Sequence, residues 1–384
     1  MKIITVLVTA AALITAVPAE ASANAPEISA KAAVLISADT GEVIYAHRSG
    51  EKLPMASTTK IMTVLLTLES AHRLGDLYEE FTADSEAIHV EGSSMGLVEG
   101  DTVTKYALCC GMLLPSGNDA ANAAAVRIAG SMEGFARLMN ERAAELGLKD
   151  THFVTPSGLE GEGHGSSAYD MALLAREALR DPTFREICSC TEKETEYGSP
   201  PYRRWLKNTN RLLSMDEGVY GVKTGYTDEA GRCLVSACER DGKDLICVTL
   251  NDPDDWNDHL ALYSYGFETV SAADITLPQE LLLDVAGSRE EQITASPLGS
   301  RLTLTTLSAT QEDITFTVIA PPFVYAPVRQ GDRVGELSVE LCGSEIERIP
   351  LYADADAEVY IPEEATEDES LYSRIINALR RIFA

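Results

Sequence analysis

Basic residues are scarce in this chain. Its 384 residues include 31 Lys and Arg against 60 Asp and Glu, which gives a formal net charge of −29 at pH 7. A nucleic-acid reader needs a basic face, so this deficit argues against that class. The 27 Gly and 16 Pro are too few to indicate a fibre or a disordered chain. The composition predicts a globular protein, and the length favours two domains.

Long apolar runs are also missing, except at the N-terminus. Lys2 precedes the apolar residues 3–17, and the small-residue pattern Ala21-Ser22-Ala23 follows. This arrangement predicts a signal peptide over residues 1–23, with a site after Ala25 as the second choice. A retained membrane anchor is the alternative, although the run is shorter than the roughly 20 residues of a spanning helix. We therefore expect an exported protein.

The cysteines do not form a recognisable disulfide framework. A two-residue turn at Asp241-Gly242 would join two strand-like segments that hold three of the eight. In that register Cys247 faces Ser236. Cys238 faces Leu245, so no disulfide links the two strands. The spacing matches no zinc site either, and we expect buried free thiols with no metal and no cofactor.

Strand-like segments lie at both ends of the first 270 residues, and helical segments lie between them. Ser167 and Asp170 have capping-box spacing at the start of one such helix. The pattern predicts an α+β domain over residues 24–270, whose terminal strands meet in one sheet. The segments are a hairpin at 31–46, helices at 57–68, 105–129, 133–146 and 171–179, strands at 232–239 and 244–250, and a closing helix at 260–265.

The composition changes after residue 270. Short β-branched segments with turns between them predict a small all-β domain over residues 271–362. Residues 363–369 are an acidic linker. Residues 371–384 then predict an amphipathic helix with three arginines and no acidic side chain. This charge reversal favours attachment to a membrane surface, and a helix docked on its own β domain is the alternative.

Ser57-Thr-Thr-Lys60 could supply a nucleophile and its base. Helical spacing turns the hydroxyl and the amine to the same side, one turn apart. A lysine acts as a base when burial and positive neighbours lower its pKa. Such a tetrapeptide occurs by chance in many proteins, so alone it carries little weight.

Two further motifs strengthen this interpretation. Ser116-Gly117-Asn118 lies on a predicted loop between helices, and Lys223-Thr224-Gly225 opens a predicted strand. The order Ser-x-x-Lys, Ser-x-Asn, Lys-Thr-Gly is typical of penicillin-recognising serine acyltransferases. A second serine can relay protons, an asparagine can orient an amide, and a Lys-Thr pair can bind a carboxylate. Gly225 would let a substrate backbone lie along the strand edge.

Longer segments around these motifs resemble one family. They are similar to serine D-alanyl-D-alanine carboxypeptidases, the low-molecular-weight penicillin-binding proteins. The resemblance covers about residues 26–270, with weaker likeness at 328–337 and in the tail. One departure is the segment 164–170, where the family more often has a bulkier residue after the histidine. The segments are Met55–Thr63, Met112–Asn122, Thr151–Leu159 and Gly221–Gly231.

The resemblance implies a fold, a reaction and a set of roles. The fold would be a penicillin-binding-protein/β-lactamase-like transpeptidase domain, a small all-β domain and a C-terminal amphipathic helix on the outer face of the cytoplasmic membrane. The enzyme would remove the terminal D-alanine from peptidoglycan pentapeptides through an acyl-enzyme, and β-lactams would inhibit it. The implied catalytic residues are Ser57, Lys60 and Ser116. The implied substrate-binding residues are Asn118, Lys223, Thr224, Gly225 and Tyr226, with the backbone N–H groups of Ser57 and Tyr226 as the oxyanion hole.

Other interpretations are weaker. A class A β-lactamase needs an acidic residue in a Glu-x-x-Leu-Asn loop, which is absent between Asn122 and Gly221. An endopeptidase that cuts peptide cross-links would use the same residues and stays open. A catalytically silent scaffold is disfavoured by the intact motifs.

Two pairs of polar residues have uncertain roles. Asn208 and Asn210 either steady the site or are ordinary satisfied loop residues, and the second interpretation is preferred. His152 and His164 suggest a Ser-His triad, but no aspartate stands at a familiar position for it.

Overall fold

The computed structural model describes residues 2–5, 25–159 and 161–360. The predicted cleavage site after Ala23 and the predicted helix at 371–384 lie outside these ranges. Within them, no helix is both long enough and apolar enough to cross a membrane.

The helices of the described residues follow the predicted pattern closely. The predicted loop at Ser116 divides residues 105–129 into two helices, because Ser116 adopts a left-handed conformation with φ 66° and interrupts the α-helix. The short helices at 182–189 and 212–215 were not predicted. The helices are α1 Lys60–Leu74, α2 Lys105–Leu113, α3 Asn118–Ala129, α4 Met132–Glu145, α5 Ala168–Ala178, α6 Pro182–Ser189, α7 Leu212–Met215 and α8 Asp255–Thr269, with 3₁₀ turns at Ala56–Thr59 and Gln311–Asp313.

The strands are numbered in chain order. They are β1 Lys2–Thr5, β2 Ala32–Ser37, β3 Val43–His47, β4 Phe81–Thr82, β5 Thr102–Val103, β6 Glu192–Gly198, β7 Pro201–Lys207, β8 Val219–Thr227, β9 Gly231–Arg240, β10 Lys243–Leu250, β11 Ser271–Thr276, β12 Leu281–Ala286, β13 Gln292–Pro297, β14 Arg301–Thr306, β15 Ile314–Ala320, β16 Val324–Tyr325, β17 Arg333–Leu341 and β18 Ser344–Ala353.

Residues 25–275 together with 303–313 form one compact unit, called the larger unit. Its main sheet has five antiparallel strands in the order β3-β2-β10-β9-β8. The N-terminal strand β2 therefore lies beside β10, more than 200 residues later in the chain. This arrangement confirms the α+β prediction that strands from both ends of the segment meet in one sheet.

Both faces of this sheet are covered by helices. Ala32, Val34 and Ile36 of β2 face a core built with helices α1 to α6, while Ala33 and Leu35 face the core under α8. Successive side chains of a strand point to opposite faces, so a strand with helices on both sides is apolar throughout. Residue 266 of α8 is glycine because a Cβ there would lie 2.5 Å from a methyl carbon of Leu35.

Helix α1 lies at the centre of the larger unit. It is buried on nearly all sides, as its apolar sequence predicts, and it ends at Gly75 with φ 72°. The capping prediction for α5 is also confirmed, because the Ser167 hydroxyl accepts a hydrogen bond from Asp170 N at 3.1 Å. These local signals fix the helix ends that frame the site.

The predicted hairpin register in β9 and β10 is confirmed. Cys247 pairs with Ser236 and Leu245 pairs with Cys238, so the two strands hold no disulfide. All eight cysteines are unpaired, and six are buried. Cys190 is half-buried and Cys342 is exposed, which differs from the expectation that all are buried.

Residues 303–313 belong to the larger unit although they follow much of the β-rich region. Thr305 explains this, because its N–H donates to Asp39 Oδ2 at 2.7 Å and its hydroxyl accepts from Asp244 N at 2.7 Å. Its carbonyl accepts from the Ser37 hydroxyl at 2.6 Å. A short segment of strand β14 is thus tied to the β2–β3 hairpin by hydrogen bonds.

The remaining described residues, 2–5, 276–302 and 314–360, form the smaller unit. Its sheet has the order β1-β15-β17-β18-β13-β12-β16. The core is aliphatic and includes Leu283, Ile293, Leu337 and Leu351. This unit agrees with the prediction of a small all-β region.

Candidate active site

Ser57 lies in a tight turn just before the central helix. The turn is the 3₁₀ segment Ala56–Thr59, and Ala56 takes the left-handed φ of 47° that few non-glycine residues adopt. The hydroxyls of Thr58 and Thr59 donate to the carbonyls of Met55 and Ala56 at 2.6 and 2.8 Å. These bonds hold the strained turn, so the Ser57 side chain has a defined position at the start of α1.

Lys60, the first residue of α1, is fully buried beside that serine. Its Nζ lies 2.9 Å from Ser57 Oγ, 2.7 Å from Asn118 Oδ1 and 2.6 Å from the carbonyl oxygen of Ser157. An ammonium group has three donors, and these partners use all three. The predicted Ser-x-x-Lys pair is therefore in contact. Ser157 was not among the predicted site residues.

The surroundings of Lys60 make it a strong candidate for a base. Burial lowers the pKa of its amine well below the ordinary value, and the nearby ammonium of Lys223 lowers it further, while Asp119 acts in the opposite direction. A buried amine without a carboxylate partner loses its proton readily. A neutral Lys60 can accept the proton of the Ser57 hydroxyl across 2.9 Å.

The second motif lies where α2 ends and α3 begins. Ser116 is nearly buried, with 6% of its surface exposed, and its left-handed backbone turns the chain between the helices. Asn118 opens α3, accepts from Lys60 through Oδ1 and donates through Nδ2 to the Glu91 carbonyl at 2.7 Å. Asn118 thus connects Lys60 to the loop around residue 91.

Asp119 holds this loop in place. Its buried carboxylate accepts hydrogen bonds from the N–H groups of Met95, Gly96 and Leu97 at 2.9 to 3.0 Å, and from the Ser94 hydroxyl at 2.6 Å. A carboxylate that accepts several backbone N–H groups orders the segment that supplies them. Asp119 lies within the segment Met112–Asn122, but its residue type and position predicted no role for it.

The third motif lies on β8, the edge strand of the main sheet. Lys223 is buried, its Nζ donates to the Thr224 carbonyl at 2.7 Å, and burial lowers the pKa of the amine to about 7. The hydroxyls of Thr224 and Thr209 are 2.6 Å apart. Tyr226 is 64% exposed. Alternation along the strand therefore turns 223 and 225 inward and 224 and 226 outward.

Close packing explains the glycine at position 225, whereas the predicted reason was room for a substrate backbone along the strand edge. A Cβ at this position would lie 3.1 Å from Ser57 N, 3.1 Å from Thr58 N and 3.1 Å from the Met55 carbonyl. The missing side chain thus lets β8 approach the backbone of the turn Ala56–Thr59. This close approach brings the Ser57 turn and the Lys-Thr-Gly strand together.

The two asparagines after β7 act as loop supports. Asn208 donates to the carbonyls of Cys188 and Cys190 at 3.2 and 2.9 Å. Asn210 donates to the Gly221 carbonyl of β8 at 2.7 Å and accepts from Leu212 N at 3.0 Å. Their contacts agree with the preferred interpretation of satisfied loop residues, and those of Asn210 also support the strand that carries Lys223.

His164 is part of the support of the turn. Its Nδ1 accepts from Val154 N at 2.9 Å, so in the neutral ring Nε2 carries the proton and faces the Thr59 hydroxyl at 2.9 Å. Burial lowers the pKa of this imidazole to about 4. His164 contacts Thr59 and not Ser57, in agreement with the rejection of a Ser-His triad.

A buried lysine in contact with a serine at the start of a central helix, beside a Lys-Thr edge strand, defines a serine acyl-transferring hydrolase. The sequence profile of the family Peptidase_S11, D-alanyl-D-alanine carboxypeptidase, matches residues 19–254. The chain belongs to this family.

Relatives and solved structures agree with this assignment. D-alanyl-D-alanine carboxypeptidase DacF of Bacillus subtilis (strain 168) is 34% identical over 338 residues, 85% of each chain. DacC of Escherichia coli (strain K12) is 34% identical over 356 residues, 88% of this chain and 86% of that protein. The Streptomyces K15 DD-transpeptidase structure matches with TM-score 0.60 and 31% identity over 64% of this chain and 99% of that one. Penicillin binding protein 5 from Haemophilus influenzae has the same fold, with TM-score 0.63 and 24% identity over 88% and 100%.

Proposed function

We propose that Ser57 is the acylated nucleophile of this D-alanyl-D-alanine carboxypeptidase and that Lys60 is its general base. The observation that carries the proposal is the contact of 2.9 Å between Lys60 Nζ and Ser57 Oγ, made by a fully buried amine with a lowered pKa. Lys60 takes the hydroxyl proton as Ser57 attacks the carbonyl carbon of the penultimate D-alanine. The oxyanion that forms is stabilised by the backbone N–H groups of Ser57 and Tyr226.

The leaving group and the incoming water need a proton carrier. Ser116 passes a proton to the amine of the departing D-alanine, and the peptide remains as an ester on Ser57. Water then attacks that ester, and Lys60 with Ser116 carries its proton. Release of the shortened peptide restores the hydroxyl of Ser57 and completes the hydrolysis.

Substrate binding uses the edge of β8. Lys223 and Thr224 bind the terminal carboxylate, since a buried ammonium next to a hydroxyl is suited to that group. The peptide lies along the strand past Gly225 and Tyr226, as an added strand does on an exposed sheet edge. Asn118 orients the amide group of the substrate peptide. The substrate is the peptidoglycan stem peptide that ends in D-alanyl-D-alanine, and β-lactams acylate the same serine.

The first prediction separates this activity from that of a β-lactamase. The purified enzyme should release D-alanine from a pentapeptide ending in D-alanyl-D-alanine much faster than it hydrolyses its penicilloyl ester. The reason is that no acidic residue of a Glu-x-x-Leu-Asn loop is present to activate water on that adduct. Free D-alanine and penicilloic acid are measured in parallel, and covalent labelling by a fluorescent penicillin counts active sites. Fast penicillin hydrolysis without D-alanine release would favour the β-lactamase.

The same assay addresses the endopeptidase alternative. A cross-linked dimeric peptide and a pentapeptide are offered at equal concentration. The initial rate on the dimeric peptide is then divided by the initial rate on the pentapeptide. A ratio above one would assign the enzyme mainly to cross-link cleavage.

The second prediction concerns attachment to the membrane. We propose that residues 1–23 direct export and are removed, that residues 24–270 carry the catalytic residues, and that 371–384 hold the protein to the outer face of the cytoplasmic membrane. Basic residues on an amphipathic helix attract anionic lipids, which supports this role in an otherwise acidic chain. Deletion of 371–384 should release the exported enzyme from membranes without changing its activity on soluble peptide.

The experiment compares the deletion with a full-length variant in which the three arginines of the tail are replaced by glutamine. Membrane and soluble fractions are scored by penicillin labelling, after N-terminal sequencing has verified signal removal. The arginine variant should bind membranes more weakly, and its binding should depend less on salt concentration than that of the wild type. Full membrane retention of the deleted protein would contradict the anchoring role.

A further inference from the structure

One arginine of strand β7 connects the β6–β7 hairpin to the loop that holds Asn118. The guanidinium carbon of Arg204 lies 4.2 Å from the ring centroid of Tyr197 and 4.2 Å from that of Tyr202. One of its terminal nitrogens, Nη2, lies 3.8 Å from the buried carboxylate of Asp101. Contacts with two aromatic rings and a carboxylate hold the planar guanidinium group in one orientation.

The oriented guanidinium group binds the main chain of this loop. Nη1 of Arg204 donates to the Gly96 carbonyl at 2.9 Å. The hydroxyl of Tyr197, on the other strand of the hairpin, donates to the Met95 carbonyl. Asp119 accepts from N–H groups of the same short segment, as described above. The segment is therefore fixed through its C=O groups by the hairpin and through its N–H groups by α3.

Earlier residues of the same loop set the position of Asn118. The Ser93 carbonyl accepts from Asn118 N at 2.7 Å, and the Glu91 carbonyl accepts from Asn118 Nδ2 at 2.7 Å. Because the amide nitrogen is bound to the loop, the amide oxygen Oδ1 faces Lys60 Nζ, 2.7 Å away. A movement of the loop would therefore displace or rotate the amide that contacts Lys60.

We propose that Arg204 is a positioning residue of the active site and that it acts through Asn118. It fixes the loop, and the loop keeps the amide oxygen of Asn118 on Lys60 and its amide group in place for the substrate. The inference rests on the proposed function, which makes Lys60 the base and Asn118 a substrate contact. A misplacement of about 1 Å, caused far from the chemistry, can cost about 100-fold in rate, so a small shift of the loop is sufficient.

The test replaces Arg204 by methionine, which keeps an unbranched side chain without the guanidinium group. The kcat for D-alanine release from a peptide ending in D-alanyl-D-alanine should fall about 10- to 100-fold. KM should change little, because the carboxylate contacts proposed for Lys223 and Thr224 are left intact. A coupled D-alanine assay on the purified enzyme measures both constants, and thermal unfolding verifies that the variant is folded at the assay temperature.

A neighbouring arginine supplies the matched control. Arg203 lies next to Arg204 on β7, but its side chain is 77% exposed and pairs with Glu194 at 3.2 Å. Arg203→Met should therefore keep the wild-type kcat. Tyr197→Phe is a milder variant, which removes only the hydroxyl bound to the Met95 carbonyl. It should lower kcat about fivefold, the size expected of one hydrogen bond, and it tests the proposal even if Arg204→Met does not fold.

A double-mutant cycle identifies the route of the effect. Asn118→Ala by itself should lower kcat. In that background Arg204→Met or Tyr197→Phe should cause little further loss, because the residue through which they act is already absent. Effects of equal size in both backgrounds would show that Arg204 does not act through Asn118 and would overturn the proposal.

Other results would overturn it as well. These are a wild-type kcat in folded Arg204→Met, a loss of equal size in Arg203→Met, or an increase in KM with kcat unchanged. Failure of the proposed function would have a different signature, since the wild-type enzyme would then release no D-alanine from the peptide.

Discussion

Replacement of Ser57 by alanine is expected to abolish covalent labelling by penicillin completely. In the proposed mechanism the Ser57 hydroxyl oxygen forms the ester bond, while the other two hydroxyls of the turn, on Thr58 and Thr59, donate to backbone carbonyls. Release of D-alanine should fall by about 10⁴- to 10⁶-fold, the range seen when a catalytic serine-protease residue is removed. Labelling with a fluorescent penicillin and a coupled D-alanine assay measure the two losses.

The fold of that variant should persist. The substitution removes one hydrogen bond to Lys60, which costs about 1 kcal/mol of unfolding free energy, and the preceding residue of the turn is already alanine. Ser214→Ala, which removes an exposed hydroxyl in α7, is the matched control and should label at the wild-type rate. Labelling of Ser57→Ala at that rate would refute the assignment of the nucleophile.

Replacement of Lys60 by arginine is expected to slow acylation strongly, though less than the loss of the Ser57 hydroxyl does. A guanidinium stays protonated at neutral pH and cannot accept the proton of Ser57. Loss of a general base costs about 10²- to 10⁴-fold in rate. The second-order rate constant of acylation by penicillin is the measurement. Normal acylation by this variant would place the base elsewhere.

Two further variants separate chemistry from packing. Lys60→Gln keeps the neutral, hydrogen-bonding character of the site without a base and should be equally slow. Lys105→Arg introduces a guanidinium at another buried lysine, one that pairs with Asp76 at 2.7 Å. It should keep most of the acylation rate if it folds, as thermal unfolding will report. Lys60 is identified as the base if its variants lose the acylation rate and Lys105→Arg keeps it.

The pH profile provides a further readout of the same assignment. The base form of Lys60 increases as pH rises through its lowered pKa, so acylation should accelerate on the acidic side. In the proposed mechanism Lys223 binds the substrate carboxylate only when protonated, and its pKa of about 7 predicts weaker binding above that pH. The profile of kcat/KM should therefore be bell-shaped in the wild type. In Lys60→Gln the acidic limb should disappear.

Local sequence signals predicted several elements with their registers. The Asp241-Gly242 turn predicted the pairing of Cys247 with Ser236, and Ser167 predicted the start of α5. Turn chemistry and capping act within a few residues of the chain, so they are legible without tertiary context. The Ser-x-x-Lys contact was predictable for the same reason, because three residues separate its members.

Contacts between distant residues were not predictable in this way. The Ser157 carbonyl accepts a hydrogen bond from Lys60, 97 positions away, and nothing in the residue type of Ser157 distinguishes it from other loop residues. Asp119 orders residues 95–97 through their backbone N–H groups, which carry no sequence signal at all. A main-chain group becomes part of a site only when folding brings it there.

The family, the three motifs and the α+β order could be predicted before folding was considered, because they depend on residue types and on spacing along the chain. The electrostatics of the site depends on tertiary packing. Lys60 and Lys223 are ordinary lysines in the sequence, and it is burial against the sheet and the central helix that lowers the pKa of both. Folding also explains why residue 225 is glycine, since it brings β8 so close to the turn that a Cβ at 225 would lie 3.1 Å from Ser57 N. Desolvation and close approach are properties of packing, which local sequence patterns do not specify.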